Sequence, residues 1–301
     1  MPRPVNPRQP PGDGETGINI YGYTPSLSLA VAALVLFGIV VVGNVAWAVR
    51  FGKKTRVYHG LIAFAAAMEI VGFAFRLRSH SNPFLLIPFV LQYFMIVVAP
   101  VFFSAAIYLS LSIIIASDAR AAASLPFGLK PRAILATFVT VDAVTTVLQV
   151  AGAALIGVGY SRIADGETPP LTPENANKIL TAGLAVQTCF FGIFIALFTS
   201  FCVKGWRKYK WHSPDMMLLA SITVASLLLW MRIIFRLAET AAGVDSDISQ
   251  DEGLFLIEFE GSCIAMLLLT AVPLEWRLRK QKRGLSEKAS PDAPESVPAG
   301  P

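Results

Sequence analysis

The chain of 301 residues is 54% hydrophobic and only 15% charged, with a formal net charge of +5. That composition excludes an ordinary soluble domain and leaves little polar sequence for a second folded unit. The positive balance does not call for nucleic acid, because a skirt of Lys and Arg facing anionic lipid accounts for it.

Residues 1–20 form a polar lead rich in Pro and Gly, whose composition predicts disorder. The lead has no short apolar core beside a small-residue cleavage site, so no removable signal peptide is expected and the first helix should act as the insertion signal. Seven apolar stretches follow: Ser26 to Val49, Tyr58 to Arg76, Phe84 to Ala116, Pro131 to Gly157, Asn177 to Val203, Pro214 to Ala238 and Gly253 to Trp276. Each meets the roughly 20 residues that a helix needs to cross a hydrocarbon core. Helices are expected because lipid offers no partner for an unpaired backbone group and the stretches are far longer than barrel strands. Residues 277–301 begin basic and end in a polar, Pro-containing tail, again expected to be disordered. The expected fold is therefore all-α: a polytopic membrane protein with a seven-transmembrane-helix bundle over residues 21–276.

The basic residues orient the bundle. Arg50, Lys53, Lys54 and Arg56 stand between the first two helices, Arg120, Lys130 and Arg132 between the third and fourth, and Lys204, Arg207, Lys208 and Lys210 between the fifth and sixth. Arg277, Arg279, Lys280, Lys282 and Arg283 follow the last helix, whereas the acidic loop Val244 to Glu252 has no Lys or Arg. The N-terminus is expected outside and the C-terminus in the cytosol.

Catalytic chemistry has little to work with. Cys189, Cys202 and Cys263 fall at membrane depth without metal spacing, and His59, His80 and His212 sit at helix ends or in loops. No G-x-S-x-G nucleophile and no phosphate-binding Gly loop is present. An enzyme is not expected, nor a cofactor, a metal or a motor driven by ATP.

Polar residues inside the apolar stretches are costly there, and they face the bundle interior or a water-filled cavity. The second helix carries Glu69 and Arg76, the third Gln92, the fourth Asp142 and Gln149, and the fifth Gln187. Arg232, Arg236 and Glu239 make one stripe on the sixth by their spacing, and the seventh carries Glu258 and Glu260. Glu69 and Asp142 lie eleven positions from the cytosolic starts of their helices, or about 16 Å in, close to the midplane. The other polar residues fall in the outer half. Such a layer is either a brace of paired charges that fixes helix register, or a site for an amphipathic molecule whose head meets the charges while its tail lies between helices. Pro100 leaves a backbone carbonyl of the third helix without its usual donor, which predicts a kink there. Ser104 and Ala105 read as small residues that let helices approach.

These residues resemble a known family. Tyr21, Tyr23, Pro25 and Ser26 are similar to its Y-x-Y-x-P-S lead-in, and Glu69, Gly72, Phe73 and Arg76 to its E-x-x-G-(Y/F)-x-x-R motif. Gln92, Ala99, Pro100, Ala105, Ala106 and Tyr108 resemble its Q-x7-A-P-x4-A-A-x-Y run. Asp142, Gln149 and Gly152 resemble D-x6-Q-x-x-G, Gly183 and Gln187 resemble G-x3-Q, and Arg232, Arg236, Glu239 and Gly243 resemble R-x3-R-x-x-E-x3-G. This is the fungal lipid-translocating exporter family, which includes the aminocholesterol-resistance proteins and a sphingoid long-chain-base exporter. The seventh segment departs from the pattern: where the family has an acid followed by a Tyr and an Asp, the chain reads Glu252, then Ile257, Glu258, Phe259 and Glu260.

The resemblance implies a plasma-membrane protein that moves, or confers tolerance to, amphiphiles such as sphingoid bases, phospholipids or sterol-like compounds. Its partners would be membrane lipids and an amphipathic small-molecule substrate. A cationic head would bind among Glu69, Asp142, Glu239 and Glu258, near the Gln92, Gln149 and Gln187 amides. Arg76, Arg232 and Arg236 would hold those carboxylates or meet a phosphate. The alternative is a seven-helix receptor-like sensor of lipid or toxicant stress, with a cytosolic partner recruited by the basic loops. Seven is an odd number for paired inverted repeats, and the sequence shows no internal repeat.

Overall fold

Uninterrupted apolar sequence, broken by Pro and polar residues at short intervals, sets the helices. In a computed structural model the described residues are 4–8, 12, 14–17, 19, 21–51, 55–117, 131–164, 168–209, 213–243 and 252–274. Among them stand seven helices: α1 Leu27–Phe51, α2 Arg56–Ser81, α3 Leu86–Ser117, α4 Pro131–Ala164, α5 Pro173–Tyr209, α6 Ser213–Ala242 and α7 Glu252–Ala271. The tail at 277–301, the acidic loop at 244–251, and Lys53, Lys54, Arg120, Lys130 and Lys210 of the basic loops lie outside the described residues.

Helix starts follow local chemistry. Pro131 and Pro173 occupy first helical positions, where a missing N–H costs nothing. Ahead of α5, Thr172 Oγ1 accepts the Asn175 N–H at 3.4 Å as a cap. Pro100 falls inside α3, and the helix continues through it.

Each helix packs on its neighbours in sequence, α1 also meets α7, and α3 reaches α6. The result is a closed ring of seven helices among the described residues, with α3 and α6 in contact across it. Neighbours run in opposite directions: Asn177 at the start of α5 donates to the Thr240 carbonyl near the end of α6, at 3.1 Å.

The faces of α1 show how the ring meets its surroundings. Val31, Val35, Ile39, Val42, Val45 and Val49 are exposed, while Ala30, Ala33, Phe37, Val40 and Asn44 are buried. An apolar outside around an inside that contains polar groups is the reverse of a soluble bundle and suits lipid. Among the described residues six helices are long and apolar enough to cross a membrane, and α7 contributes a shorter apolar run, Phe259–Ala271. The chain is an integral membrane protein with six candidate spans. Two aromatic clusters fill the interior: Phe37, Phe73 and Phe259 join α1, α2 and α7, and Tyr108, Phe138, Phe191 and Phe194 join α3, α4 and α5.

Part of the lead meets the turn after α2. Its described residues pair with the turn between α2 and α3: the Thr16 N–H donates to the Phe84 carbonyl at 2.8 Å, and the Leu86 N–H to the Gly14 carbonyl at 3.1 Å. The Glu15 carboxylate accepts from Asn82 Nδ2 at 2.7 Å and Asn6 Nδ2 at 3.2 Å.

Candidate functional site

Arg232 on α6 ties four helices together. Its Nη1 donates to Glu69 Oε1 of α2 at 2.7 Å and to Ser262 Oγ of α7, and its Nη2 donates to the Ile96 carbonyl of α3 at 2.7 Å. The three side chains are fully buried. An α-helical Ile96 carbonyl would accept the N–H of residue 100, and Pro100 has none. The guanidinium therefore fills the acceptor that proline leaves open. A charge pair taken out of water needs hydrogen bonds on its remaining atoms to offset its desolvation. The carbonyl and the hydroxyl supply them here.

Asp142 of α4 is held differently. Ser104 Oγ and Tyr108 Oη, one turn apart on α3, donate to its Oδ2 at 2.5 and 2.9 Å. The side chain is buried, and Oδ1 has no hydrogen-bond partner among the described residues. Ser104, expected as a packing residue, is a ligand of this carboxyl. Tyr108 brings the carboxyl against the aromatic cluster of α3, α4 and α5.

Between α3, α4, α5 and α6 lies a cleft of about 30 Å³, lined among others by Pro100, Gln149, Gln187, Arg232 and Arg236. Gln149 Nε2 donates to Gln187 Oε1 at 2.7 Å, with both side chains buried. The pair meets because two glycines let α4 and α5 close. A Cβ on Gly152 would stand 2.9 Å from the Leu180 backbone nitrogen, and one on Gly183 would stand 3.2 Å from both Gln149 Cγ and the Thr145 carbonyl. This gives a physical reason for the D-x6-Q-x-x-G and G-x3-Q spacings. At the rim, Arg236 Nη1 donates to Glu239 Oε2 at 2.8 Å and its guanidinium lies 5.4 Å from the Tyr93 ring centroid.

The lead closes over the same end of α2 and α3. Gly22 turns at a φ of 77°, a region open mainly to glycine, which sends Tyr21 and Tyr23 to different partners. Tyr21 Oη shares hydrogen bonds with Ser79 Oγ at 2.9 Å and Gln92 Oε1 at 2.6 Å. Arg76 donates from Nη2 to Tyr23 Oη at 3.1 Å, and its guanidinium lies 5.9 and 5.6 Å from the Tyr21 and Tyr23 ring centroids.

Of the residues singled out in the sequence, Glu69 and Arg232 meet directly, as do Gln149 and Gln187, and Arg236 and Glu239. Asp142, and the pair of Arg76 and Gln92 under the lead, keep their own partners. The single polar layer is a set of neighbouring networks. The Glu258 side chain lies outside the described residues, and Glu260 is exposed. Sequence reasoning missed Ser262; His59, in the first turn of α2 as expected, is wholly buried with Nδ1 2.8 Å from Asn44 Oδ1. Asn44 also donates to Thr270 Oγ1 of α7 at 2.7 Å. The signal was there: Asn44 follows Val40 by one turn on the inward stripe of α1.

Residues 62–281, well over half of the chain, match the family described as RTA1 like protein. The chain belongs to the RTA1-like family. It is 27% identical over 284 residues to protein RTA1 of Saccharomyces cerevisiae, an alignment covering 84% of this chain and 83% of that relative. It is 26% identical over 274 residues to the sphingoid long-chain base transporter RSB1 of the same species, covering 78% and 68%. Protein RTM1, also from Saccharomyces cerevisiae, is 28% identical over 300 residues, covering 84% and 89%. One of the three is named as a transporter and none as an enzyme. The RTA1-like match takes in all but the start of α2 and every helix after it, and so the Glu69, Asp142, Gln149 and Arg232 networks.

Proposed function

We propose that this RTA1-like chain moves amphipathic lipids, sphingoid long-chain bases foremost, across the plasma membrane, with its N-terminus outside and its C-terminus in the cytosol. One observation carries the reading: Glu69 and Asp142 are buried carboxyls inside a lipid-facing bundle whose sequence is related over 78% of its length to a sphingoid long-chain base transporter. A sphingoid base has a cationic head and an alkyl tail. The acids suit the head, and the apolar outer faces of the helices suit the tail.

On this reading the head binds among Glu69, Asp142, Glu239 and Glu258. Glu69 is paired with Arg232 and Glu239 with Arg236, so an ammonium that takes either acid displaces a guanidinium, which must find another acceptor. The donors to Asp142 in this structure are the hydroxyls of Ser104 and Tyr108, which makes it the acid that yields most readily to a cation. The cleft of about 30 Å³ is smaller than such a head, and passage needs α3 and α6 to part, with Pro100 as the flexible point of α3. The sequence has no nucleotide-binding motif, so the driving force is a gradient or lipid asymmetry. The transmembrane unit would run over residues 21–276, with α7 and its continuation as the seventh crossing.

Reconstitution tests this. The purified full chain in liposomes moves a fluorescent long-chain base between leaflets with no cytosolic component; binding without movement overturns translocation. That second outcome would favour a receptor-like sensor with a cytosolic partner. The closed ring of seven helices and the small cleft support the sensor as the second reading.

A further inference from the structure

Within the cleft, the two glutamines have more hydrogen-bonding capacity than the protein uses. A primary amide offers two N–H donors and a carbonyl with two lone pairs. The bond from Gln149 Nε2 to Gln187 Oε1 uses one donor and one lone pair. The Gln149 carbonyl and the Gln187 amino group have no partner among the described residues, although both side chains are buried and both line the cleft. The unused carbonyl and amino group are not sealed off, so they remain open to a group that enters the cleft. An acceptor and a donor side by side are the complement of a hydroxyl, which is itself a donor and an acceptor.

The cleft's charge and size narrow the choice. Arg232 and Arg236 line it and are each paired with an acid, Glu69 and Glu239, so the unused groups that face the cleft are the neutral amides. About 30 Å³ of free volume takes one or two water-sized groups, which suits a hydroxyl and not the four oxygens of a phosphate. Ile96, Val97, Leu180 and Leu184 supply apolar walls for the adjoining carbons.

We propose that the Gln149–Gln187 pair is a hydroxyl-reading subsite, which selects amphiphiles bearing a hydroxyl near the amine over simple long-chain amines. The proposal rests on the amphiphile-moving function above and adds to it the chemical class that the cleft prefers. Gly152 and Gly183 belong to the subsite as positioning residues, since they set the approach of α4 and α5 that brings the amides together.

The test uses the purified full chain in liposomes with two probes: sphinganine, an amino-diol, and octadecylamine, an amine of the same chain length without hydroxyls. The wild type moves sphinganine faster, and Gln149→Met or Gln187→Met lowers that preference by roughly three- to tenfold, the worth of one neutral hydrogen bond. A thermal melting midpoint in detergent close to that of the wild type shows that the variants are folded. Equal movement of both probes by the wild type, or an unchanged preference in a variant that still moves octadecylamine, overturns the subsite and leaves the translocator standing. Loss of both probes in both variants assigns the pair to the framework of the bundle and also overturns it. A wild type that moves neither probe overturns the translocator and the subsite together.

Discussion

Arg232 Nη2 donates at 2.7 Å to the carbonyl of Ile96, the acceptor that Pro100 leaves without its helical donor. A kink residue on one helix and a charge on another thus form one unit. Arg232→Ala takes the guanidinium away from the buried Glu69 carboxylate and from this carbonyl and should destabilise the protein by about 3–5 kcal/mol. The effect of Pro100→Ala, which restores an N–H for Ile96, should not add to that of Arg232→Met; a coupling of roughly 0.5–3 kcal/mol is expected. Thermal unfolding in detergent of the two single variants and the double variant measures both. Additive losses would show that the two residues act independently.

Asp142 gives a second case. Ser104→Ala and Tyr108→Phe each remove one donor from a buried carboxyl, at about 1–3 kcal/mol apiece. Asp142→Asn, which adds a donor of its own, should tolerate Ser104→Ala better than the wild type does. The same unfolding measurements check the order, and an equal loss in both backgrounds would contradict the contact.

The α4–α5 interface separates two glycines that look alike in sequence. Gly152→Ala forces a methyl to within 2.9 Å of the Leu180 backbone, and overpacking of this kind costs about 1–3 kcal/mol. Gly157 in the same helix has nothing within 4 Å of where a Cβ would stand, so Gly157→Ala should stabilise by roughly 0.5–1 kcal/mol. Opposite signs in the two melting temperatures are the expected outcome.

The lead should be sensitive to acid. Hydrogen bonds from Asn82, the Gly12 N–H and Asn6 hold the Glu15 carboxyl below the ordinary carboxylate range. Its folded value is depressed, so its contribution to docking is complete above the unfolded value of about 4.3 and is lost as the pH falls through the folded one. A fluorophore at the N-terminus should gain mobility as the pH drops below about 4. Glu15→Gln should show the looser lead already at neutral pH, with little further change on acidification.

The helices were legible because lipid imposes one requirement on every residue of a span, and an apolar stretch shows it directly. Pairing was legible only in part. Arg232, Arg236 and Glu239 share a face by spacing, whereas the reach of Arg232 to Glu69 did not follow from the estimated depths, which put Glu69 near the midplane and Arg232 in the outer half. Which acid takes which base depends on helix rotation, which spacing does not report: Glu69 reaches Arg232, whereas Asp142 turns to two hydroxyls of α3. Ser262 was missed because a lone hydroxyl in an apolar stretch gives no sign of its partner until the facing helix is known.

Efflux of a labelled long-chain base from cells carrying well-expressed Glu69→Gln or Asp142→Asn is the most direct measurement. With the buried acids as the seat of the cationic head, efflux should fall at least about tenfold, the loss of one charge-assisted contact. Efflux at the wild-type rate in both variants would contradict the account.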